Sequence, residues 1–207
     1  MKRAVICDFG GVLTTPLIHS FMHWQEVSGV SFEELGKAMH RLTERTGKHP
    51  LYELEKGAIT EADFLGSLET EMGGDVHLGS LAEVYFDHLQ PNPEMIAAMR
   101  SLRRRGLRTA LLTNNVREWE PRWRALMPEL DEVFEVVVDS GFVGMRKPDP
   151  AIYELTLERL GGGVVGSDCI FVDDFEVNCE AARALGMTAV RFESNEQAIP
   201  EIEAALE

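Results

Sequence analysis

Residues 3–13, RAVICDFGGVL, run a β-branched apolar stretch into one acid, Asp8, and then reach Gly10 and Gly11. A short run that is apolar without alternation reads as a strand buried on both faces, as in a parallel sheet. Similar runs recur at 108–113 (RTALLT), 133–138 (VFEVVV), 169–173 (CIFVD) and 188–192 (TAVRF). Between the last four the pattern is helical. Asn92-Pro93 opens a helix that Gly106 closes, Asp149-Pro150 and Gly161 repeat the arrangement, and Gly186 ends another. Strand alternating with helix predicts an α/β fold: a doubly wound, Rossmann-like parallel sheet with right-handed crossovers.

One interval breaks the alternation. Residues 16–88 hold no strand-like run, only the amphipathic segments LIHSFMHWQEV, SFEELGKAMHRLTER, TEADFLGSLETEM and LAEVYFDHL; Ser31 with Glu34 forms a capping box, and Thr60 opens the third segment. Some seventy residues exceed an ordinary crossover, so a helical insertion is expected over the sheet. The expected organisation is a core of 1–15 and 89–207 carrying an inserted domain of 16–88, with Met22, Trp24, Met39 and Phe64 in the insertion's own core.

Composition narrows the function. The 207 residues carry 35 acids against 20 bases, a formal charge of -15, which repels nucleic acid. The run Arg103-Arg104-Arg105 falls where cations suit the end of a helix. Cys7, Cys169 and Cys179 show no metal-ligand or disulfide spacing and read as buried thiols in a reducing compartment. With no signal segment and no membrane-spanning stretch, a cytoplasmic protein is expected. Oligomeric state has no readable signal.

Ligand sites of open α/β sheets lie at the carboxyl ends of the strands. Four such ends here are polar: Asp8; Thr113 with Asn114 and Asn115; Asp173 with Asp174; and Lys147, after the third strand. Each alone reads as a cap or turn residue, but together they read as a reactive centre. Crowded carboxylates need a cation, and oxygen ligands without a His or Cys cluster suit Mg²⁺. Thr113, Asn114, Lys147 and the backbone near Gly11 offer donors and charge for the oxygens of a phosphoryl group. A carboxylate facing such a group can attack it in line, so the expected chemistry is phosphoryl transfer to a small-molecule substrate.

At these residues the chain resembles the haloacid dehalogenase-like hydrolase superfamily. DFGGVL, LLTNN, GMRKPDPAIY and FVDDFEVN are similar to its four motifs in order. The insertion resembles the helical C1-type cap of the first subfamily. VGMRKPDPAIYELTLERLG and FVDDFEVNCEAARALGM resemble the branch typified by the N-terminal phosphatase domain of soluble epoxide hydrolases. The resemblance implies that Asp8 is the nucleophile of a Mg²⁺-dependent phosphatase acting on a small organic phosphomonoester. By the same resemblance Thr113 and Lys147 bind the phosphoryl group, and Asp174, with Asp173, holds the metal beside Asp8. The departure is Gly10, where the superfamily's phosphatases usually carry a second acid that shuttles protons; the metal contact at that position is a backbone carbonyl, which glycine keeps. A slow phosphatase is therefore expected.

His19 and His23, one helical turn apart, are candidates to replace the missing acid, and also read as ordinary residues of the insertion. Trp119 and Trp123 are candidates to wall a pocket, or packing residues. Two other readings stand beside the phosphatase: a protein that binds phosphorylated ligands with little turnover, and a metal-free dehalogenase, against which Asp173 and Asp174 argue.

Overall fold

The computed structural model describes residues 2–206, apart from the side chains of His19 and Phe21. Five parallel strands, β1 (Ala4–Cys7), β2 (Arg108–Thr113), β3 (Val136–Asp139), β4 (Cys169–Asp173) and β5 (Thr188–Arg191), form one sheet in the order β3-β2-β1-β4-β5. Chain order reverses between β1 and β4, so the crevice of a doubly wound sheet opens where Asp8 and Asp173 end their strands. The third strand starts later than the run 133–138 predicts. Leu130–Val133 are helical, and Phe134 N–H donates to the Leu130 carbonyl at 2.8 Å, so local helical bonding claims these residues before the sheet does.

Among the described residues twelve α-helices accompany the strands: α1 (Ile18–Ser28), α2 (Phe32–Thr46), α3 (Pro50–Glu55), α4 (Glu61–Glu71), α5 (Leu81–Asp87), α6 (Pro93–Arg104), α7 (Glu120–Leu126), α8 (Leu130–Val133), α9 (Ser140–Val143), α10 (Pro150–Leu160), α11 (Glu176–Ala184) and α12 (Asn195–Ala204). Alternate residues of β1 bury on opposite faces. Ala4 and Ile6 join Ile152, Tyr153 and Cys179 of α10 and α11; Val5 and Cys7 join Met95 and Met99 of α6 and Ala198 of α12. All three cysteines are buried and free. Among the described residues no helix is long and apolar enough to cross a membrane.

Helices α1–α5 fill the interval between β1 and β2. Their capping follows the sequence: Ser31 and Glu34 form a reciprocal box, and Thr60 does the same with Asp63. Trp24, Phe64 and partly buried Met39 pack inside, but Met22 is 53% exposed, which corrects its expected place in the core. One helix went unread. HPLYELE shows too short an apolar period for a helix, yet Pro50 at the first helical position and Glu53 in the first turn start α3, whose Leu54 is buried.

Entry to and exit from this helical segment run side by side. Thr15 N–H donates to Gln90 O at 2.8 Å and Asn92 N–H to Leu13 O at 2.8 Å, while the Asn92 amide donates to Val12 O. The turn after α3 docks on α9: Ser140 Oγ donates to Glu55 O at 2.6 Å, and Gly57, at φ +65°, faces the Gly141 carbonyl where any Cβ would collide with it. Gly57→Ala combines a left-handed backbone with that collision and should cost about 2 kcal/mol or more. A urea midpoint equal to that of the parent chain would show that α3 does not depend on this contact.

Candidate active site

Each strand end contributes through a local reason. Asp8 stays at its strand tip because its own N–H donates to Val172 O of β4 at 2.9 Å, while its Oδ1 accepts from Phe9 N–H at 2.7 Å. Gly11 then takes φ +77°, and a Cβ there would lie 2.5 Å from Asp174 Oδ2. Only glycine lets the chain pass that close to the carboxylate.

Lys147 is 1% exposed and places Nζ 2.8 Å from Asp8 Oδ1 and 2.6 Å from Asp173 Oδ2. Its backbone is clamped by Asn114, whose Oδ1 accepts from Lys147 N–H at 2.8 Å and whose amide donates to Lys147 O at 3.0 Å. Asp173 is fully engaged: besides Lys147 it accepts from Phe175 N–H and from the Asn178 amide, both at 2.9 Å. Asn178 thus holds Asp173, which holds Lys147, which faces Asp8. Asp174 differs, because its buried Oδ1 has no partner among the described residues.

The electrostatics follow from this crowding. Burial pushes the Asp8 carboxyl above its usual range; Lys147 opposes this, while Asp173 and Asp174 add to it. Burial, with Asp173 adding to it, pushes Asp174 up to about 6. Burial alone would lower the Lys147 ammonium, but Asp173 and Asp8 outweigh it and hold it above its usual value. Oxygens of Asp8, Asp173 and Asp174 lie within 4.8 Å of one another. When all three are ionised they face one ammonium, leaving the cluster two positive charges short. An orphaned buried oxygen, an oxygen-only donor set and that deficit all fit a hard divalent cation such as Mg²⁺.

A cavity of about 420 Å³ opens over Asp8 and Lys147, lined also by Gly10, Thr113 and Asn114 from the sheet edge and by Asn178 of α11. Four side chains that sequence reading missed also line it: Tyr52 and Glu55 of α3, Tyr85 of α5, and Arg146. Arg146 Nε donates to Glu55 Oε2 at 2.6 Å and its guanidinium lies 4.0 Å from the centre of the Tyr52 ring, so α3 is tied to the residue next to Lys147. Burial raises the Glu55 carboxyl even against Arg146. No local spacing in PLYELE, nor Arg146 beside Lys147, marks this pairing in the sequence.

The remaining candidates fall elsewhere. His23 does not line the cavity: its ring packs at a tilt against His88 with centroids 4.0 Å apart, and its Nδ1 lies 3.6 Å from Glu26. The His19 side chain lies outside the described residues. Trp119 walls a smaller neighbouring chamber and donates to Glu61 at 2.9 Å, whereas Trp123 is buried against Phe9. Leu17 packs over Gly10, 3.1 Å from where a Cβ would stand, so apolar carbon fills the place of the missing acid.

A parallel five-stranded sheet with a carboxylate–lysine cluster at its crevice defines an α/β enzyme. The chain belongs to the haloacid dehalogenase-like hydrolase family, whose model matches residues 2–186. Acyl-CoA dehydrogenase family member 10 of Mus musculus is 32% identical over 210 residues, covering 99% of this chain and 19% of the relative. A phosphatase of Mycobacterium tuberculosis is 35% identical over 130 residues (62% of this chain, 59% of the relative). Bifunctional epoxide hydrolase 2 of Rattus norvegicus is 26% identical over 216 residues (97% and 38%). The chain therefore spans from a fifth to three fifths of these relatives' lengths. A HAD family enzyme of Bacteroides thetaiotaomicron, solved with magnesium and inorganic phosphate, shares the fold with a TM-score of 0.71 at 22% identity, covering 93% of this chain and 95% of that one.

The raised Asp174 value carries a sign. Its folded-state pKa of about 6 lies above the ordinary 3.8, so ionising Asp174 costs more in the folded chain. Stability is unpenalised below about pH 4, declines as pH rises to about 6 and then levels off, with the penalty fully present above that. Without divalent cations, Asp174→Asn should leave the melting midpoint near its parent value at pH 4 and raise it by a few degrees at pH 7.5. A destabilised variant at pH 7.5 would mean that the carboxylate is held by protein partners.

Proposed function

We propose that this chain is a Mg²⁺-dependent phosphatase that hydrolyses a small organic phosphomonoester through an aspartyl phosphate on Asp8. The observation that carries the reading is the buried chain Asn178–Asp173–Lys147–Asp8, with the unpartnered oxygen of Asp174 beside it. Asp8 Oδ attacks phosphorus, the bond from phosphorus to the ester oxygen breaks, and the departing alkoxide takes a proton from water. A second water then attacks phosphorus and loses a proton to solvent; the bond to Asp8 breaks, releasing inorganic phosphate and restoring the carboxylate. Lys147 and Thr113 bind the phosphoryl oxygens. The residues that would hold Mg²⁺ are Asp8, Asp174 and the Gly10 carbonyl, and its charge would neutralise those oxygens. Asp173 we assign to orienting Lys147, and the Asn114 side chain to fixing its backbone.

Residues 16–88 we read as a cap domain closing over a core of 1–15 and 89–207, with the paired segments around Leu13–Thr15 and Gln90–Asn92 as its stem. The net charge of -15 disfavours polyanionic partners, and three free buried cysteines suit a reducing cytoplasm. Gly10 with Leu17 above it favours a second reading, a protein that holds phosphorylated ligands and turns them over slowly.

Aryl phosphate hydrolysis should require Mg²⁺ and fall by at least about 10³-fold in both Asp8→Asn and Asp174→Asn. Activity that survives both changes would remove the mechanism. Gly10→Asp must displace Leu17, so it belongs with Leu17→Ala. That double variant should speed alkyl phosphate hydrolysis by about 10²-fold and aryl phosphate hydrolysis far less, because only the poor leaving group needs a proton. Equal gains on both substrates would mean that another group already shuttles protons.

A further inference from the structure

Two cations line the cavity over Asp8, and they are engaged differently. Lys147 is held between Asp8 and Asp173. Arg146 is bonded only through Nε, which donates to Glu55 Oε2 at 2.6 Å; among the described residues no protein acceptor is bonded to either Nη. Its side chain keeps 19% exposure, and the unengaged Nη edge is open to water instead of sealed in protein. The rest of the residue is fixed. Asp149 N–H donates to the Arg146 carbonyl at 2.9 Å, Asn114 clamps the next backbone unit, and the guanidinium lies 4.0 Å from the centre of the Tyr52 ring. Tyr52 stacks in turn on His49, with centroids 4.2 Å apart. Tyr52, Arg146 and Pro148 also line an outer depression of about 310 Å³, so this guanidinium stands in the partition between that depression and the cavity over Asp8.

We infer that Arg146 binds a second anionic group of the substrate, a carboxylate or a further phosphate on the alcohol whose phosphate sits over Asp8. The inference rests on the phosphatase reading and deepens it by naming the substrate class. Tying α3 to the sheet edge requires only Nε and the ring contact, which leaves the Nη1–Nη2 edge without a structural task. That edge presents N–H groups side by side in one plane, matching the paired oxygens of a carboxylate or phosphate. A guanidinium already fixed loses little freedom when an anion arrives, so more of the interaction is expressed as affinity. Glu55 is the competing anion, and burial raises its carboxyl even against Arg146. Its charge is poorly supported there, so an anion from solvent can share the guanidinium with it. In a chain of net charge -15, a ligand with two anionic groups needs such a local cation.

The test uses the full chain at a fixed Mg²⁺ concentration. Calorimetry compares phosphonoacetate, 3-phosphonopropionate and 4-phosphonobutyrate each with its uncharged amide, and ethane-1,2-bisphosphonate with ethylphosphonate. At least one ligand with a second anion should bind at least about tenfold tighter than its uncharged counterpart, and the better of the acid and bisphosphonate arms identifies the second group. Arg146→Gln should abolish that preference. Glu55→Gln breaks the same ion pair but leaves the guanidinium, and should keep it. Binding of the amides reports that each variant is folded. In turnover, the phosphate ester of the matching hydroxy acid should exceed that of its amide by at least about tenfold in kcat/KM, and Arg146→Gln should remove the difference through KM more than through kcat. Equal affinity for charged and uncharged ligands in the parent chain would overturn the inference, and so would a preference lost equally in both variants. A preference for the second anion without turnover of any ester would sustain the anion site and overturn the phosphatase reading; turnover without that preference would do the reverse.

Discussion

An ammonium that is 1% exposed, held 2.8 Å from Asp8 and 2.6 Å from Asp173, organises this molecule. A buried charge without partners costs several kcal/mol, so Lys147 requires both carboxylates, and each carboxylate requires it. The strand order makes that meeting possible. β1 and β4 are neighbours on either side of the point where the sheet reverses, and their tips put Asp8 and Asp173 side by side. Asn114, at the end of β2, then clamps the Lys147 backbone from the other direction. A parallel sheet with its crossovers is in this sense the frame that one ion cluster demands.

The same cluster is left unbalanced. Three carboxylates against one ammonium, with Asp174 Oδ1 buried and unpartnered, are tolerable only if carboxyls stay protonated or a cation arrives. A site that destabilises its own ionised state has a gain in free energy waiting for whatever supplies positive charge. That is the physical content of its fit to Mg²⁺. The place of the usual second acid is handled differently, since Leu17 covers Gly10. The space beside Gly10 is therefore lined by apolar carbon, and Leu17 also lines the smaller neighbouring chamber.

Much of this was legible in advance, and the parts that were not share a cause. Buried strands announce themselves by continuous apolar runs, and strand-end polar residues stand out because packing does not ask for them. Asp8, Thr113, Lys147 and Asp173 were readable on those grounds. Glu55 and Tyr85 were not, because they sit on short helices of the inserted segment. A glutamate on an amphipathic helix looks the same in sequence whether it meets water or Arg146. The pair of Asp173 and Asp174 was read as one feature, yet the structure gives them different surroundings: one is engaged on every side and the other has a bare oxygen.

The sequence by itself determined the sheet, the helical interval between its first two strands, and the set of acids and the lysine that gather at one edge. It did so because burial on both faces and capping are local rules, written in residue type and spacing. Only the tertiary structure decided which acid pairs with Lys147 and Asn178 and which has a bare oxygen, that α3 forms and is tied by Glu55 to Arg146, and that His23 packs on His88 instead of lining the cavity over Asp8. Those outcomes depend on which side chains far apart in the chain come within a few ångströms, and no local spacing carries that information. RAVICDFGGVL could say that Asp8 ends a buried strand; the folded chain put Leu17 over the glycine that follows it.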